Sequence, residues 1–390
     1  MSESKDKRGK GRPKLNRSTR IHLTDNELEI VKDLRRFETE AKAAGLEASS
    51  IKHAWFKTKE SSLFAKNPGF DAGGIISKKK IEETIDRIVS KHSPIQFPKK
   101  SYKARTIETK RLLNVTISDA HIGMDPNPDG SGLFQYEYNR EIFEDNMSKV
   151  VGSIKKEYAV YGIFDQLDIT DLGDAADGWS GQTTRGGHDL DQNMNNAEMF
   201  EACVDSKVKM VRELVEAKVA NKIVLRCVSN DNHAGDFALI INIAIQKVIN
   251  LMFKKEIVEV DVLTRFMDHR VYGDHCFILT HGKDKKSMNR GLPLCLTDRV
   301  VRFIEDYICH YGIDSKYIHV HKGDLHQVGY EKTKKFDYRN FMSFAPPSNW
   351  VQHNFGDSYS GYSIQVIPKN INEISHTDYI LDYKKINTKP

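Results

Sequence analysis

The chain has 390 residues and no CxxC pair; Cys203, Cys227, Cys276, Cys295 and Cys309 are scattered along it. That pattern excludes a zinc knuckle or a disulfide framework and points to reduced thiols in a cytoplasm. No segment approaches the roughly 18 uninterrupted apolar residues of a membrane span, so no membrane partner is expected. The first twenty residues are polar and basic, where a secretory signal would be apolar. Also missing are a P-loop, a dinucleotide-binding GxGxxG after a strand, and a nucleophilic Ser elbow. Charge of one sign is scarce outside one place. Residues 1–20 hold eight Lys/Arg against two Asp/Glu, more than the whole net charge of +5. The basicity is a tail, and such a tail attracts polyanions through counterion release.

What is present is ordinary for a protein with a packed core: 39% hydrophobic and 29% charged residues. The length suggests one large domain with a smaller one. Residues 1–20 have almost nothing to bury and should be disordered alone. Their Gly11-Arg12-Pro13 run, with Lys14 beside it, is similar to the core of an AT-hook, which lays Arg into a narrow minor groove; a merely solubilising terminus is the alternative. Over residues 21–70, Thr24 and Glu27 form a capping box for a helix running to Ala44, and Gly45 ends it. Ser49 or Ser50 then caps a second expected helix through Ile51, Ala54 and Trp55, with Lys52 and Lys57 near its outer face. A helix-turn-helix DNA reader fits this layout, as does a plain helical hairpin. Residues 71–107 read as a charged helix (78–90) followed by a Pro/Lys-rich linker.

From residue 108 the pattern becomes βα alternation to the end of the chain. β-branched runs at 112–118, 166–172, 222–229, 276–280 and 317–321 alternate with helical segments at 138–158, 195–219 and 297–311. The expectation is a sheet with helices on its faces and chemistry at the carboxyl ends of strands. Five polar clusters fall just after those strands, about fifty residues apart: Asp119-Ala120-His121, Gly173-Asp174-Ala175-Ala176-Asp177, Asp231-Asn232-His233, His281-Gly282, and Gly323-Asp324-Leu325-His326. Any one of them alone is ordinary loop chemistry. All five in order, rich in Asp, Asn and His and poor in Cys, predict a metal site. Converging carboxylates repel unless cations neutralise them. Imidazole and oxygen donors without thiolates suit Mn²⁺, Fe or Zn²⁺, and Mg²⁺ less well.

The order DxH, GDxxD, NH, H, GxxH over roughly residues 110–330 resembles the calcineurin-like metallophosphoesterase superfamily. The resemblance implies a four-layer αββα sandwich, with residues 336–383 supplying its second sheet, and two divalent metal ions, manganese foremost. By the same resemblance Asp119, His121 and His326 bind the first metal, Asp174 bridges, and Asn232, His281 and Asp324 complete the second. His233 would be the general acid and Asp177 its orienting partner. The basic helical start is similar to phage- or prophage-encoded members. Three positions depart from the pattern: Asp231 for Gly, Asp324 for the first His of GHxH, and Gly178 for a phosphate-gripping Arg. His321 is an alternative ligand in place of Asp324.

Candidate phosphate-holding groups are therefore sought elsewhere. Arg185 and His188 lie in the insertion after the second cluster, and Lys283, Lys285 and Lys286 follow His281. Trp179 could stack on a base or simply pack. The leading expectation is a nuclease-like phosphodiesterase acting on nucleic acid, DNA favoured, with Arg12, Lys14, Lys52 and Lys57 as nucleic-acid contacts. Asp177 leans the other way, because the repair nucleases of the superfamily usually place His there. A phosphomonoesterase for nucleotides or phosphoproteins, and a DNA-binding regulator with a degenerate phosphoesterase domain, are the alternatives.

Overall fold

The computed structural model describes residues 53–57, 62–66, 78–92, 110–286 and 291–383. Two compact units divide the chain, Met1–Gly73 and Gly74–Pro390. In the first, β1 (His53–Lys57) pairs antiparallel with β2 (Ser62–Lys66), Trp55 opposite Phe64. This overturns the expected second helix and with it the helix-turn-helix. The run His-Ala-Trp-Phe-Lys is rich in residue types that favour strands and pairs in register with Ser-Leu-Phe-Ala-Lys, so a hairpin forms where a helical turn was expected. Lys57 therefore ends a strand. Lys52, Arg12, Lys14 and the expected helix over 24–44 lie outside the described residues.

The second unit contains α1 (Lys78–Lys91), α2 (Arg140–Tyr161), α3 (Asn196–Ala217), α4 (Asp236–Met252), α5 (Asp298–His310) and α6 (Asn349–Phe355). Its strands form two sheets. The first has six, in the order β13 (Ser375–Ile380), β12 (Gly361–Pro368), β3 (Arg111–Ile117), β4 (Gln166–Asp171), β5 (Ile223–Val228), β6 (Val258–Leu263). The second has five: β10 (Gly329–Lys332), β11 (Asp337–Asn340), β9 (Tyr317–Lys322), β8 (His275–Thr280), β7 (Asp268–Tyr272).

Alternation along the strands builds the layers. On β3, Leu113, Val115 and Ile117 face the helices α2, α3 and α4, while Leu112 faces the other way. Leu112, Val228 and Ile367 of the first sheet, with Leu172 just past β4, meet Tyr272, Phe277 and Leu279 of the second, with Phe341 just past β11. On β8 and β9, Cys276, Ile278, Ile318 and Val320 pack under α5 with Ile304 and Ile308. The result is helices, sheet, sheet, helix: the expected αββα sandwich. Helix α3 is buried along most of its length and starts at a complete capping box, Asn195 with Glu198, which stabilises a helix start by about 1 kcal/mol.

Two expectations about order change. The closing segment does not build one sheet. Its β11 joins the second sheet, but β12, buried along all eight residues, pairs with β3 in the first. Adding a strand to β3 covers an edge that would otherwise be exposed. The charged helix α1 is no free spacer either. Ile88 is fully buried in the main core, and Lys91 and His92 bond Asp205 of α3 at 2.6 and 2.7 Å.

Strands β3, β4, β5 and β6 are mutually parallel, as are β8, β9 and β11. Their carboxyl ends carry all five polar clusters.

Candidate metal centre

The cluster after β3 turns sharply. Asp119 (φ 53°) and His121 (φ 40°) both have left-handed backbone, and so do Asp174 (φ 50°), Asp324 (φ 74°) and His326 (φ 54°). Only seven described non-glycine residues do this, and five are predicted ligands. Such conformations cost on the order of 1 kcal/mol each and persist where surrounding structure imposes them. The glycines beside them are required as well. A Cβ on Gly323 would lie 2.0 Å from Ser118 Oγ, and one on Gly173 (φ 107°) 3.0 Å from His281 Nδ1. Main-chain bonds then tie the loops together: His121 N donates to Asp174 O, Asp119 N to Gly173 O, and Ala345 N to Asp119 O.

The five loops supply three overlapping groups of donors, the ligand atoms of each group lying within 4.8 Å of one another: Asp119, His121 and His326; Asp119, Asp174 and His281; and His121, Asp174 and His233. The loop that carries His233 also contributes Asn232, whose Oδ1 is 3.1 Å from His281 Nε2. Asp324 Oδ1 is 4.0 Å from the same nitrogen. All seven predicted ligands thus line one site. His321 does not. It faces the inter-sheet layer between Phe277 and Phe341, and burial first, then His319 and Arg339, pushes its imidazole well below the ordinary range. Of the two alternatives, Asp324 is the one at the site.

The donor set fits cations. His281 Nδ1 lies 3.0 Å from the Leu172 carbonyl, which can only accept, so this nitrogen carries a proton. Nε2 is then aimed at oxygens of Asp174 (3.0 Å), Asn232 and Asp324. His121 Nδ1 is likewise engaged by Asp177 at 2.9 Å, leaving its Nε2 to face His326 Nε2 at 3.2 Å. Asp119 Oδ1 is buried without a hydrogen-bond donor. Lone pairs converging on lone pairs call for positive charge between them.

The electrostatics agree. Burial would raise the Asp119 carboxyl, but His326 and His281 hold it down at about 2. Asp174 is driven well below the carboxylate range against its burial, chiefly by His281 and His233. Burial lowers His281 and His233, yet the surrounding carboxylates, Asp174 foremost, push them up to about 10 and about 9. The carboxylates around these rings thus favour positive charge at the site.

Asp177 Oδ1 sits 2.9 Å from His121 Nδ1 and 3.4 Å from His233 Nδ1, so it serves both rings rather than His233 alone. His233 has the more exposed side chain of the two, at 21%.

Other expected contacts are placed differently. Arg185 Nη1 bonds both the main-chain and side-chain oxygens of Asp284, at 2.6 and 3.2 Å, and its N–H bonds Asn232 O. It staples two loops of the rim together. His188 is exposed near Gly186, and Lys285 pairs with Asp236. Lys283 is half-buried, and its charge acts on Asp324. Trp179 packs edge-on against Phe237 at 4.7 Å. Gly178 (φ 89°) has no room for any side chain, since a Cβ would lie 2.5 Å from Gln182 O; this explains the missing Arg.

The roles of three residues were not legible in the sequence. Asp231 is fully buried and accepts from Ala234 N, Gly235 N and Asp174 N, so it shapes the turn into α4. Burial and Asp174 raise its carboxyl to about 7. Lys207 of α3 meets Asp171, whose other oxygen accepts Gly173 N at 3.0 Å, supporting the Asp174 loop from below. Lys322, the last residue of β9, is fully buried. Asp231 stood out only as a departure from the resembled pattern, and for Lys322 only adjacency to a ligand motif could have drawn attention.

No protein-family model matches the chain, and no curated protein does. Among solved structures it is similar to a zinc-complexed Vps29 from Entamoeba histolytica (10% identity, TM-score 0.30, covering 69% of this chain and 98% of that one). It is also similar to an archaeal phosphodiesterase (10%, TM-score 0.31, 69% and 99%) and to vacuolar protein sorting 29 of Cryptosporidium parvum (8%, TM-score 0.29, 70% and 100%). The chain's own layers form an αββα sandwich, and its strand-end loops bring the donor groups together.

Proposed function

We propose that the chain hydrolyses phosphate esters with two divalent cations, manganese foremost, and that its substrates are phosphodiesters of nucleic acid. The observation that carries the hydrolase reading is the convergence of three overlapping donor groups within 4.8 Å. Asp119, His121 and His326 would hold one cation and Asn232, His281 and Asp324 the other. Asp174 belongs to a group with His281 and to another with His121, which supports its place between them. Cations bound there would polarise a phosphoryl oxygen and lower the pKa of a neighbouring water. His233, with one nitrogen turned to Asp177, has its other nitrogen free to protonate the leaving oxygen.

Nucleic acid, with DNA favoured, is supported by the basic residues 1–20 and by Lys283 and Lys286 beside the His281 loop. Purified protein with Mn²⁺ is expected to cleave bis-p-nitrophenyl phosphate and oligonucleotides. Cleavage of only the monoester analogue would replace this substrate with a phosphomonoester, and no cleavage of either would end the hydrolase reading. Removing residues 1–20 should weaken DNA binding and flatten its salt dependence.

A further inference from the structure

Lys322 is fully buried, and no carboxylate among the described residues comes within ion-pair distance of its ammonium. Its Nζ donates to Gly323 O at 2.7 Å and to Asn340 Oδ1 at 2.5 Å. Asn340, also fully buried, uses its amide to bond Gln327 O. Lys322 and Asn340 therefore grip both ends of the loop 323–327, which carries Asp324 and His326, one from each cation group. The ammonium also lies under the neighbouring loop, because a Cβ on Gly282 would stand 3.3 Å from it. Burying an ammonium is unfavourable unless charge and hydrogen bonds offset it. Two hydrogen bonds to neutral groups do not balance that cost. Asp324 lies beside the ammonium, since the same Cβ on Gly282 would stand 3.5 Å from Asp324 Cβ.

We propose that Lys322 is a positioning residue and the built-in countercharge of Asp324, holding the ligand loop in place and keeping the centre's net charge constant. Asp324 puts a carboxylate where the resembled pattern has a neutral imidazole. Without compensation that carboxylate would cancel one of the positive charges that two divalent cations present to a phosphate. With Lys322 beneath it, three carboxylates, one ammonium and two cations leave the same net charge as two carboxylates and two cations. This rests on the two-cation reading above.

The test uses the full chain with Lys322→Gln, which keeps a donor but loses the charge, and with Lys322→Gln combined with Asp324→Asn. Melting of the metal-free protein and Mn²⁺ binding by calorimetry are the readouts. Lys322→Gln should melt earlier than wild type yet bind Mn²⁺ about tenfold more tightly, because a repelling charge has gone. The double variant should recover the lost melting temperature. Unchanged or weaker Mn²⁺ binding in Lys322→Gln, or melting losses that simply add, would overturn the proposal. Should Lys322→Gln yield no folded protein, a folded double variant supports the coupling and an unfolded one refutes it. Wild type that binds no Mn²⁺ would instead sink the two-cation reading itself.

Discussion

His121 Nδ1 lies 2.9 Å from Asp177 Oδ1, and that one oxygen also faces His233 at 3.4 Å. A single carboxylate thus fixes the tautomer of a candidate ligand and orients the candidate acid. Burial alone would raise Asp177, but its bonds to His121 and His233 lower it, so it stays anionic and can accept from both. Replacing Asp177 by Asn should cut turnover of bis-p-nitrophenyl phosphate by roughly 10–100-fold, the usual cost of losing a partner behind a ligand. Wild-type turnover in this variant would remove Asp177 from the machinery.

His233→Ala separates the acid from the ligands. Turnover should fall by about a hundredfold or more, while Mn²⁺ content measured by elemental analysis stays near wild type. Lost metal would mean that His233 is a ligand, in keeping with its place beside His121 and Asp174 in one donor group.

Asp174→Asn should abolish turnover and leave the fold intact by circular dichroism. Its side chain meets His281 Nε2 at 3.0 Å and its main chain receives His121 N–H, so one residue serves both halves of the centre. A variant that still turned over would show that nothing at position 174 joins the two cations.

The docking of α1 should depend on acid. Asp205 is buried against Lys91 and His92. Burial works to raise its carboxyl, but the bonds to Lys91 and His92 outweigh that and lower it below the ordinary value of 3.8. A depressed carboxyl contributes stability above its unfolded pKa and loses it as pH falls through the folded one, so α1 should loosen below about pH 4. Asp205→Asn should cost about 2 kcal/mol at pH 7 and flatten the acid limb of urea midpoints. Equal acid sensitivity in wild type and variant would exclude Asp205 as the source.

The strand-end clusters were legible because a parallel sheet exposes the carboxyl ends of its strands, and donors that must meet there carry a fixed residue chemistry. Each of the five runs predicted as strands is a strand, within a residue or two at either end. The clusters holding Asp119, His121, Asp174, Asn232, His281 and His326 could therefore be singled out from their order, while the choice of ligands within them came from the resemblance. The hairpin at β1 and β2 was misread, since a short run of mixed propensity takes its state from the partner it finds. The destination of β12 was misread for a related reason, because a strand buried on both faces does not encode which sheet it joins.

Residue types and their spacing thus determined that five loops carry ligand chemistry and that the layers alternate helix with strand. Which residues meet was decided only by the tertiary structure: Arg185 turned to Asp284, His321 turned between the sheets, and Lys322 buried against the loop that carries Asp324. The physical reason is that a ligand is recognised by its own chemistry, which is local. A side chain that staples, buttresses or countercharges is defined by its neighbour, and neighbours distant in sequence are chosen by packing.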